Sequence, residues 1–303
     1  MKATPINGSL VAKLIEADIK KRVQQLKQKV GRAPGLGVIL VGDNPASKYY
    51  VATKEKVANR AGVQSYESIL QKEATFEEVA GVIQKFNKDP NIDGILLQLP
   101  VPEHLDSDLL LDLIIPEKDA DGLHPMNQGL LMTGKVGSRS CTPLGVMKLI
   151  DVAENNFDPE SKDANILQLK EADLRGKRAV VVGRSILVGK PVSIMLLERN
   201  ATVTIAHSKT KDLAAVCKEA DILVAAVGVP GLIKGNFIKK GAVVIDVGIN
   251  RLADGKLVGD VVYEEAAEFA RAITPVPGGV GPMTVIMLIS NTLKNFERQN
   301  GIN

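Results

Sequence analysis

The sequence predicts an α/β protein built from two three-layer α/β domains. The chain has 303 residues, which is long for one domain and comfortable for two. Short apolar runs alternate with longer helical patterns along most of its length, as they do in parallel sheets. Trp is absent and aromatic residues make up only 3%, so the core must consist of Val, Ile, Leu and Ala. Such a core suits buried parallel strands covered by helices.

Charge and cysteine content exclude several classes of protein. The net charge of +3 is too weak to argue for nucleic-acid binding, although it suits a small anionic ligand. Cys141 and Cys217 form neither a disulfide framework nor part of a metal-binding cluster, so no metal site is expected. No apolar run reaches membrane-spanning length, and Glu16 and Asp18 argue against a transit peptide. The expectation is a cytoplasmic enzyme that binds neither nucleic acid nor a membrane.

The first part of the chain predicts three helices and three strands. An apolar stripe that starts after Ser9 indicates a long first helix, and Thr75 with Glu78 forms a capping box for the third. Continuous apolar runs between Gly- and Pro-rich turns indicate the strands. In chain order the predicted elements are helix 9–30, strand 36–41, helix 45–61, strand 64–70, helix 75–87 and strand 93–99.

The middle of the chain is irregular, and a second alternating set follows. Residues 116–142 are rich in Gly, Pro and Asp, which predicts an ordered functional loop. A helix over 142–154 then links the domains, and the polar segment 155–173 is expected at the surface. The remaining predicted elements are strand 179–182, helix 191–199, strand 202–206, helix 213–219, strands 222–227 and 242–247, and helices 263–271 and 283–296.

Two side chains on the second helix are candidates for chemistry. Asn44 followed by Pro45 is a typical N-cap and first helical residue, so Tyr50 and Lys54 lie four residues apart on one helical face. A phenol and an ammonium held side by side can work on a small substrate. The same pattern also fits an ordinary amphipathic surface helix.

Two polar residues near strand ends could complete such a site. Gln98 ends an apolar strand, where a buried amide needs a partner, and a hydrogen bond to Lys54 would hold that amine in place. A backbone partner would satisfy Gln98 equally well. Asp121 could bind a polar heterocycle through paired hydrogen bonds, but Asp-Gly is also a common turn pair.

The second domain begins with a pattern typical of nucleotide binding. A buried strand runs into the turn Gly183–Gly189 and then into a helix, although Ser185 and Val188 stand where the dinucleotide fingerprint has glycines. An ordinary strand-to-helix turn is the alternative. The next strand ends in His207–Lys209 with no acidic residue, and Arg184 lies in the loop itself. These side chains suit an extra phosphate, which favours NADP over NAD and predicts a Rossmann-like NADP-binding domain.

The chain order decides between two kinds of enzyme. A Tyr-x-x-x-Lys pair with a nucleotide loop is typical of short-chain dehydrogenases, but there the loop comes first. Here Lys54 precedes Gly183 by more than a hundred residues, so the two features belong to different domains.

The glycine-rich run Pro277–Pro282 permits close approach of the backbone to a flat ligand and is too rich in glycine for a simple connector.

Together these stretches resemble the bifunctional methylenetetrahydrofolate dehydrogenase/cyclohydrolase family over nearly the whole chain. Pro-Val-Pro-Gly-Gly-Val-Gly-Pro-Met-Thr, at 275–284, is the most specific of them. The others are Val41–Asp43 with Ser47, Tyr50 and Lys54; Gly94–Pro100; Lys118–Gly122; Cys141–Pro143; and Gly183–Ser185 with Val188–Gly189.

The resemblance implies a fold of two α/β domains with a cleft between them, usually assembled as a homodimer. It implies a folate-binding catalytic domain over 1–142 plus 283–303 and an NADP-binding domain over 143–282. The implied catalytic residues are Lys54, Gln98, Tyr50 and Asp121, with Lys54 tuned by Gln98, Tyr50 stacked on the folate and Asp121 holding the pterin ring.

The implied folate contacts are Tyr50, Val51, Ala52, Thr53, Lys54, Leu97, Gln98, Leu99, Asp121, Pro277, Gly278 and Gly279. The implied NADP contacts are Gly183, Arg184, Ser185, His207, Ser208, Gly228, Ile249 and Thr284. The expected activity is NADP-dependent oxidation of methylenetetrahydrofolate followed by hydrolysis to 10-formyltetrahydrofolate. A catalytically silent folate and NADP sensor on the same fold is the alternative.

Overall fold

A computed structural model describes residues 2–302, apart from the side chain of Ala46. In chain order its elements are β1 (Thr4–Pro5), α1 (Gly8–Val30), β2 (Gly35–Val41), α2 (Pro45–Ala61), β3 (Gln64–Leu70), α3 (Phe76–Lys88), β4 (Gly94–Leu97), α4 (Ser107–Asp112), α5 (Pro125–Met132), α6 (Cys141–Glu154), β5 (Arg178–Val182), α7 (Gly189–Glu198), β6 (Thr202–Ala206), α8 (Leu213–Lys218), β7 (Ile222–Ala225), β8 (Val243–Asp246), β9 (Asn250–Arg251), β10 (Leu257–Val258), α9 (Tyr263–Ala266), β11 (Ala272–Ile273) and α10 (Val280–Gln299).

The chain divides into two compact units. One, the nucleotide-type unit, contains the chain up to Leu14 together with Thr142–Thr284. The other, the lysine unit, contains Ile15–Cys141 together with the chain from Val285 onward. The division at the beginning of the chain differs from the predicted domain boundary, because β1 pairs in parallel with β11 and so joins the sheet of the nucleotide-type unit.

The nucleotide-type unit contains a six-stranded parallel sheet in the order β1-β11-β8-β7-β5-β6. Strands β7 and β8 are buried at every position, as expected for central parallel strands covered on both faces. The carboxyl ends of β5, β6, β7 and β8 therefore form one edge of the sheet, which is where open α/β sheets place their ligands.

The lysine unit contains a three-stranded parallel sheet in the order β3-β2-β4. Its central strand β2 is buried throughout, and Ile39, Val41, Ile95 and Leu97 pack with residues of α3 in one apolar core. The predicted capping box of α3 is present, since Thr75 and Glu78 exchange side-chain and backbone hydrogen bonds.

Among residues 2–302, no helix combines the length and the apolar character that a membrane crossing requires.

Several local predictions differ from the structure. Residues 116–142, predicted to be irregular, include α5, whose N-cap is His124 and whose first residue is Pro125. The helix predicted over 263–271 ends at Ala266, and the following residues turn into β11. The last helix begins at Val280 rather than near Met283. The short strands β1, β9, β10 and β11 and the helix α4 were not predicted.

Candidate active site

Helix α2 carries Tyr50 and Lys54, and its start is fixed by local sequence. The side chain of Asn44 accepts a hydrogen bond from the backbone N–H of Ser47 at 3.2 Å, so Asn44 is the N-cap that the sequence predicted. Gly62 ends the helix with a φ of +83°, a conformation that favours glycine. The helix therefore begins after a three-residue turn that follows β2, and it places Lys54 about two and a half turns from its N-terminus.

Lys54 and Gln98 form the central contact of the lysine unit. The Nζ of Lys54 donates to Oε1 of Gln98 at 2.8 Å, and Nε2 of Gln98 donates to the carbonyl of Leu99 at 2.6 Å. Gln98 follows β4 immediately and is only 8% exposed. Because both ends of the amide are bonded, its oxygen is held toward the lysine, which is the contact that the sequence predicted.

The surroundings of Lys54 shift its titration. Partial burial lowers the pKa of the Lys54 ammonium, while the nearby negative charges of Asp121 and of an ionised Cys141 act in the opposite direction. Burial raises the pKa of the Asp121 carboxyl, and the charge of Lys54 opposes that rise. Burial, followed by the Asp121 carboxylate, raises the pKa of the Cys141 thiol well above its usual range. Lys54 is thus closer to neutrality at physiological pH than a lysine in water.

The turn that presents Asp121 is built on a second carboxylate, Asp119. Its two oxygens accept the backbone N–H groups of Gly122 at 2.8 Å and His124 at 2.9 Å, and the side-chain amide of Asn127 at 2.9 Å. Asp119 is almost fully buried. Asp119 was not among the predicted site residues, although an Asp two residues before an Asp-Gly pair is a turn signal.

Two further residues of this site, Asn291 and Cys141, were not among the predicted site residues, although Cys141 lies in one of the stretches that resemble the family. The side-chain amide of Asn291, on α10, donates to the carbonyls of Ala120 at 2.9 Å and Arg139 at 2.8 Å. The Cys141 thiol donates to the same Ala120 carbonyl at 3.3 Å. Asn291 and Cys141 therefore hold the backbone next to Asp121, and only the tertiary structure brings them there.

The other predicted folate contacts of the lysine unit fall into two groups. Tyr50 is 41% exposed and meets the ring of Tyr49 edge to face, with ring centroids 6.1 Å apart. Thr53 donates its hydroxyl to the backbone carbonyl of Tyr49, and Ala52 is exposed. Val51 and Leu97 are buried in the core, whereas Leu99 is half-buried. The exposed Tyr50 ring is free to stack, but the side chains of Val51 and Leu97 pack inside the protein.

In the nucleotide-type unit, the turn after β5 depends on two glycines. Gly183 has a φ of +131°, and a Cβ there would overlap the carbonyl of Ala226. A Cβ on Gly189 would overlap the backbone of Gly183, so glycine permits α7 to start directly against the strand end. The Ser185 hydroxyl accepts the backbone N–H of Val188, the residue before α7, at 3.1 Å. Gly189 thus supplies the close packing that the fingerprint assigns to its last glycine, although the spacing differs.

The end of β6 forms a tight turn with exposed polar groups. The backbone N–H of His207 donates to the Thr210 hydroxyl at 2.8 Å, and Nδ1 of His207 accepts the N–H of Lys209 at 3.1 Å. Ser208 and Arg184 are both exposed. The residues present therefore fit NADP: an open glycine turn at a helix N-terminus for the diphosphate, and a hydroxyl and a guanidinium for a further phosphate.

The remaining predicted contacts of the same unit lie on three loops, except Thr284, which lies in α10. Gly228 follows β7 and Ile249 follows β8, and both are exposed. Gly278, with a φ of +105°, accepts the backbone N–H of Ser9 at 3.0 Å, which holds the loop that contains Pro277 and Gly279. The Thr284 hydroxyl lies 2.9 Å from that of Thr142.

The fold and these sites define the class: an α/β oxidoreductase with a Rossmann-like NAD(P)-binding unit and a separate unit that holds a buried lysine. Residues 6–121 match the tetrahydrofolate dehydrogenase/cyclohydrolase catalytic domain, and residues 161–300 match the NAD(P)-binding domain of the same family. The chain belongs to the tetrahydrofolate dehydrogenase/cyclohydrolase family, which confirms the family, the enzyme class and the fold predicted from sequence.

Individual relatives match over almost their whole length. The chain is 50% identical to the bifunctional protein FolD 2 of Geobacter sulfurreducens over 292 residues, covering 96% of each chain. The structure resembles the bifunctional FolD of Campylobacter jejuni with a TM-score of 0.90 at 43% identity, covering 98% of this chain and 99% of that one. The Trypanosoma brucei FolD, solved with NADP and an inhibitor, has a TM-score of 0.90 at 38% identity and covers 99% of each chain.

Proposed function

We propose that this chain oxidises 5,10-methylenetetrahydrofolate with NADP and hydrolyses the methenyl product to 10-formyltetrahydrofolate, with Lys54 moving the proton in the hydrolysis. Family membership supports the two activities. The observation that carries the role of Lys54 is its 2.8 Å hydrogen bond to Gln98 in a setting that lowers its pKa. A silent sensor would have no use for such a lysine.

The hydrolysis needs a base and then an acid. Water adds to the methenyl carbon, and neutral Lys54 accepts one of its protons. The resulting ammonium donates that proton to N5 as the bond between N5 and the carbon breaks, and the remaining hydroxyl proton leaves to solvent as the formyl group forms on N10. Gln98 keeps the amine directed, since its amide oxygen accepts from Nζ and its amide nitrogen is bonded to Leu99.

The oxidation needs positioning rather than a protein base. NADP supplies, when bound, the acceptor for the hydride that leaves the methylene carbon. The lone pairs of N5 and N10 stabilise the cation that forms, so no side chain has to remove that hydrogen. The tasks of this chain are to stack the folate on the exposed Tyr50 ring and to bind its pterin through Asp121, which Asp119 and Asn291 hold in place through the neighbouring backbone.

The choice of nucleotide rests on side chains at two loop ends. Arg184 and Ser208 are exposed at the ends of β5 and β6, and no acidic residue stands at 207–209 to bind a free ribose hydroxyl. The relative from Trypanosoma brucei was solved with NADP bound. We assign these two side chains to the 2′-phosphate of NADP.

We also propose that the enzyme works in the cytoplasm as a homodimer. Light scattering on the purified chain would test the oligomeric state.

Replacing Lys54 with Met tests the mechanism. The variant should lose cyclohydrolase activity by about 10²- to 10⁴-fold, the usual contribution of a positioned acid or base, while still binding folate. Absorbance then follows methenyltetrahydrofolate, which should accumulate from methylenetetrahydrofolate and NADP. Lys56→Met, on an exposed position of the same helix, is the matched control and should behave as the parent. Undiminished hydrolysis by the Lys54 variant would remove this residue from the mechanism.

A further inference from the structure

One buried carboxylate, Asp260, ties together two loops at the ligand edge of the nucleotide-type sheet. Its Oδ2 accepts the backbone N–H of Val227 at 2.7 Å and of Gly228 at 3.0 Å. Its Oδ1 accepts the side-chain amide of Asn250 at 3.0 Å. Val227 and Gly228 belong to the loop after β7, and Asn250 is the first residue of β9, which follows β8 after a short loop. A side chain 32 residues beyond Gly228 thus fixes the ends of two neighbouring strands.

A second carboxylate, Asp246, holds Asp260 itself. At the end of β8, its Oδ1 accepts the backbone N–H groups of Asp260 and Gly248, both at 2.9 Å, and its Oδ2 accepts that of Val261 at 2.9 Å. A Cβ on Gly248 would overlap the Asp260 carboxylate, and one on Gly259 would overlap that of Asp246. The backbone here is therefore wrapped closely around the two side chains.

The Asp260 side chain is buried, whereas residues of the two segments that it holds are exposed to solvent. Asp260 is 0% exposed, whereas Ile249 is 45% exposed and Gly228 is also exposed. Since the carboxyl ends of parallel strands form the ligand edge, the exposed side of these loops faces the place where a nucleotide binds. Loops that are already ordered lose less conformational entropy when they bind.

We infer that Asp260 is a positioning residue for NADP: it holds the segments 227–228 and 248–250 in the arrangement that the nucleotide contacts. The inference rests on the proposed function, because it takes NADP as the ligand of this unit. Asp260 has no surface of its own to offer the nucleotide, so its contribution passes through Gly228, Ile249 and Asn250.

The test compares three substitutions in the full chain by calorimetric titration with NADP. Asp260→Ala leaves two backbone N–H groups and one amide without their acceptor, and NADP affinity should fall about tenfold or more. Asp260→Asn keeps one carbonyl oxygen for Val227 and Gly228, and should recover most of the affinity. Asp254→Ala is the matched control, since this exposed carboxylate only accepts the N–H of Lys256 in the β9–β10 turn.

The hydrolysis of methenyltetrahydrofolate provides the internal check, because its chemistry needs no nucleotide. The inference holds if Asp260→Ala weakens NADP binding, Asp260→Asn restores it, and the hydrolysis rate stays within about twofold of the parent. Equal NADP affinity in the parent and the Asp260→Ala chain would overturn it. A parent chain that neither binds NADP nor oxidises methylenetetrahydrofolate would instead overturn the proposed function and the inference with it.

A milder variant covers the case in which Asp260→Ala does not fold. Asn250→Ala removes only the tie between the two loops and leaves the N–H groups of Val227 and Gly228 bonded. It should weaken NADP binding less than Asp260→Ala, by about threefold to tenfold, with full hydrolysis activity. Hydrogen exchange of the Gly228 amide in the nucleotide-free protein should quicken. Unchanged affinity and unchanged exchange in this variant would contradict the inference.

Discussion

The lysine unit and the nucleotide-type unit hold their functional groups in opposite ways. In the lysine unit, the site consists of side chains whose charges act on each other, with Lys54 bonded to Gln98 and placed near Asp121. In the nucleotide-type unit, the site consists mainly of backbone at strand ends. Glycines shape this backbone, and the buried carboxylates of Asp246 and Asp260 accept hydrogen bonds from its N–H groups. The lysine unit sets the proton affinity of one amine, and the nucleotide-type unit sets the shape of the backbone at its strand ends.

This difference matches the task proposed for each unit. Hydrolysis of a methenyl group requires a proton carrier whose pKa is shifted toward neutrality, and only a side chain in a chosen environment can provide that. Binding a dinucleotide requires many N–H groups and close approach, which backbone and glycine supply. Substitutions in the first unit should therefore change rates and pH profiles, while substitutions in the second should change nucleotide affinity.

The largest effect that would sharpen this comparison is expected at Gln98. Replacing it with Leu removes the acceptor that directs Lys54, so cyclohydrolase activity should drop by about 100-fold, within the range of a lost general base. NADP affinity, measured by titration, should not change. Gln71→Leu, at an exposed position of the same unit, serves as the control. If NADP binding weakened as much as hydrolysis, the two units would not be separable in this way.

A smaller effect, confined to one nucleotide, is expected from Arg184→Ala combined with Ser208→Ala. The substitutions remove the two charge-assisted hydrogen bonds proposed for the 2′-phosphate, so NADP binding should weaken by about 10- to 100-fold. NAD binding should stay within about twofold, since the glycine turn and the start of α7 remain intact. Lys211→Ala, also exposed, is the control. Equal losses for both nucleotides would refute the phosphate assignment and show that these side chains shape the loops.

The smallest effect concerns pH. The Asp121 carboxylate raises the pKa of Lys54 against the lowering caused by burial, so Asp121→Asn should lower that pKa further. More Lys54 is then neutral at any given pH, and the rising limb of the cyclohydrolase profile should move to lower pH. Rates are compared at saturating folate, because Asp121 is also proposed to bind the pterin. A limb that stays in place or moves to higher pH would mean that the two charges do not interact.

Local signals in the sequence predicted most elements of the fold. Two helix starts are marked by signals that span no more than four residues: Asn44 with Pro45, and the Thr75–Glu78 capping box. Both are present in the structure. The helix α5 was missed because its N-cap is a histidine and because Gly129 lies inside it, which is unfavourable for a helix. Strand β1 was missed because two residues carry no periodic pattern; it exists only through its pairing with β11.

The sequence by itself determined the family, the alternation of buried strands and helices, and the candidate residues Tyr50, Lys54, Gln98 and Asp121. These follow from patterns within a few residues and from motifs that stay together along the chain. Only the tertiary structure decided what surrounds them. Asn291 reaches Ala120 across 171 positions, and Asp260 reaches Gly228 across 32. The pKa of Lys54 likewise depends on burial and on Asp121. Such contacts form only when a folded core brings distant segments together, and so no local pattern records them.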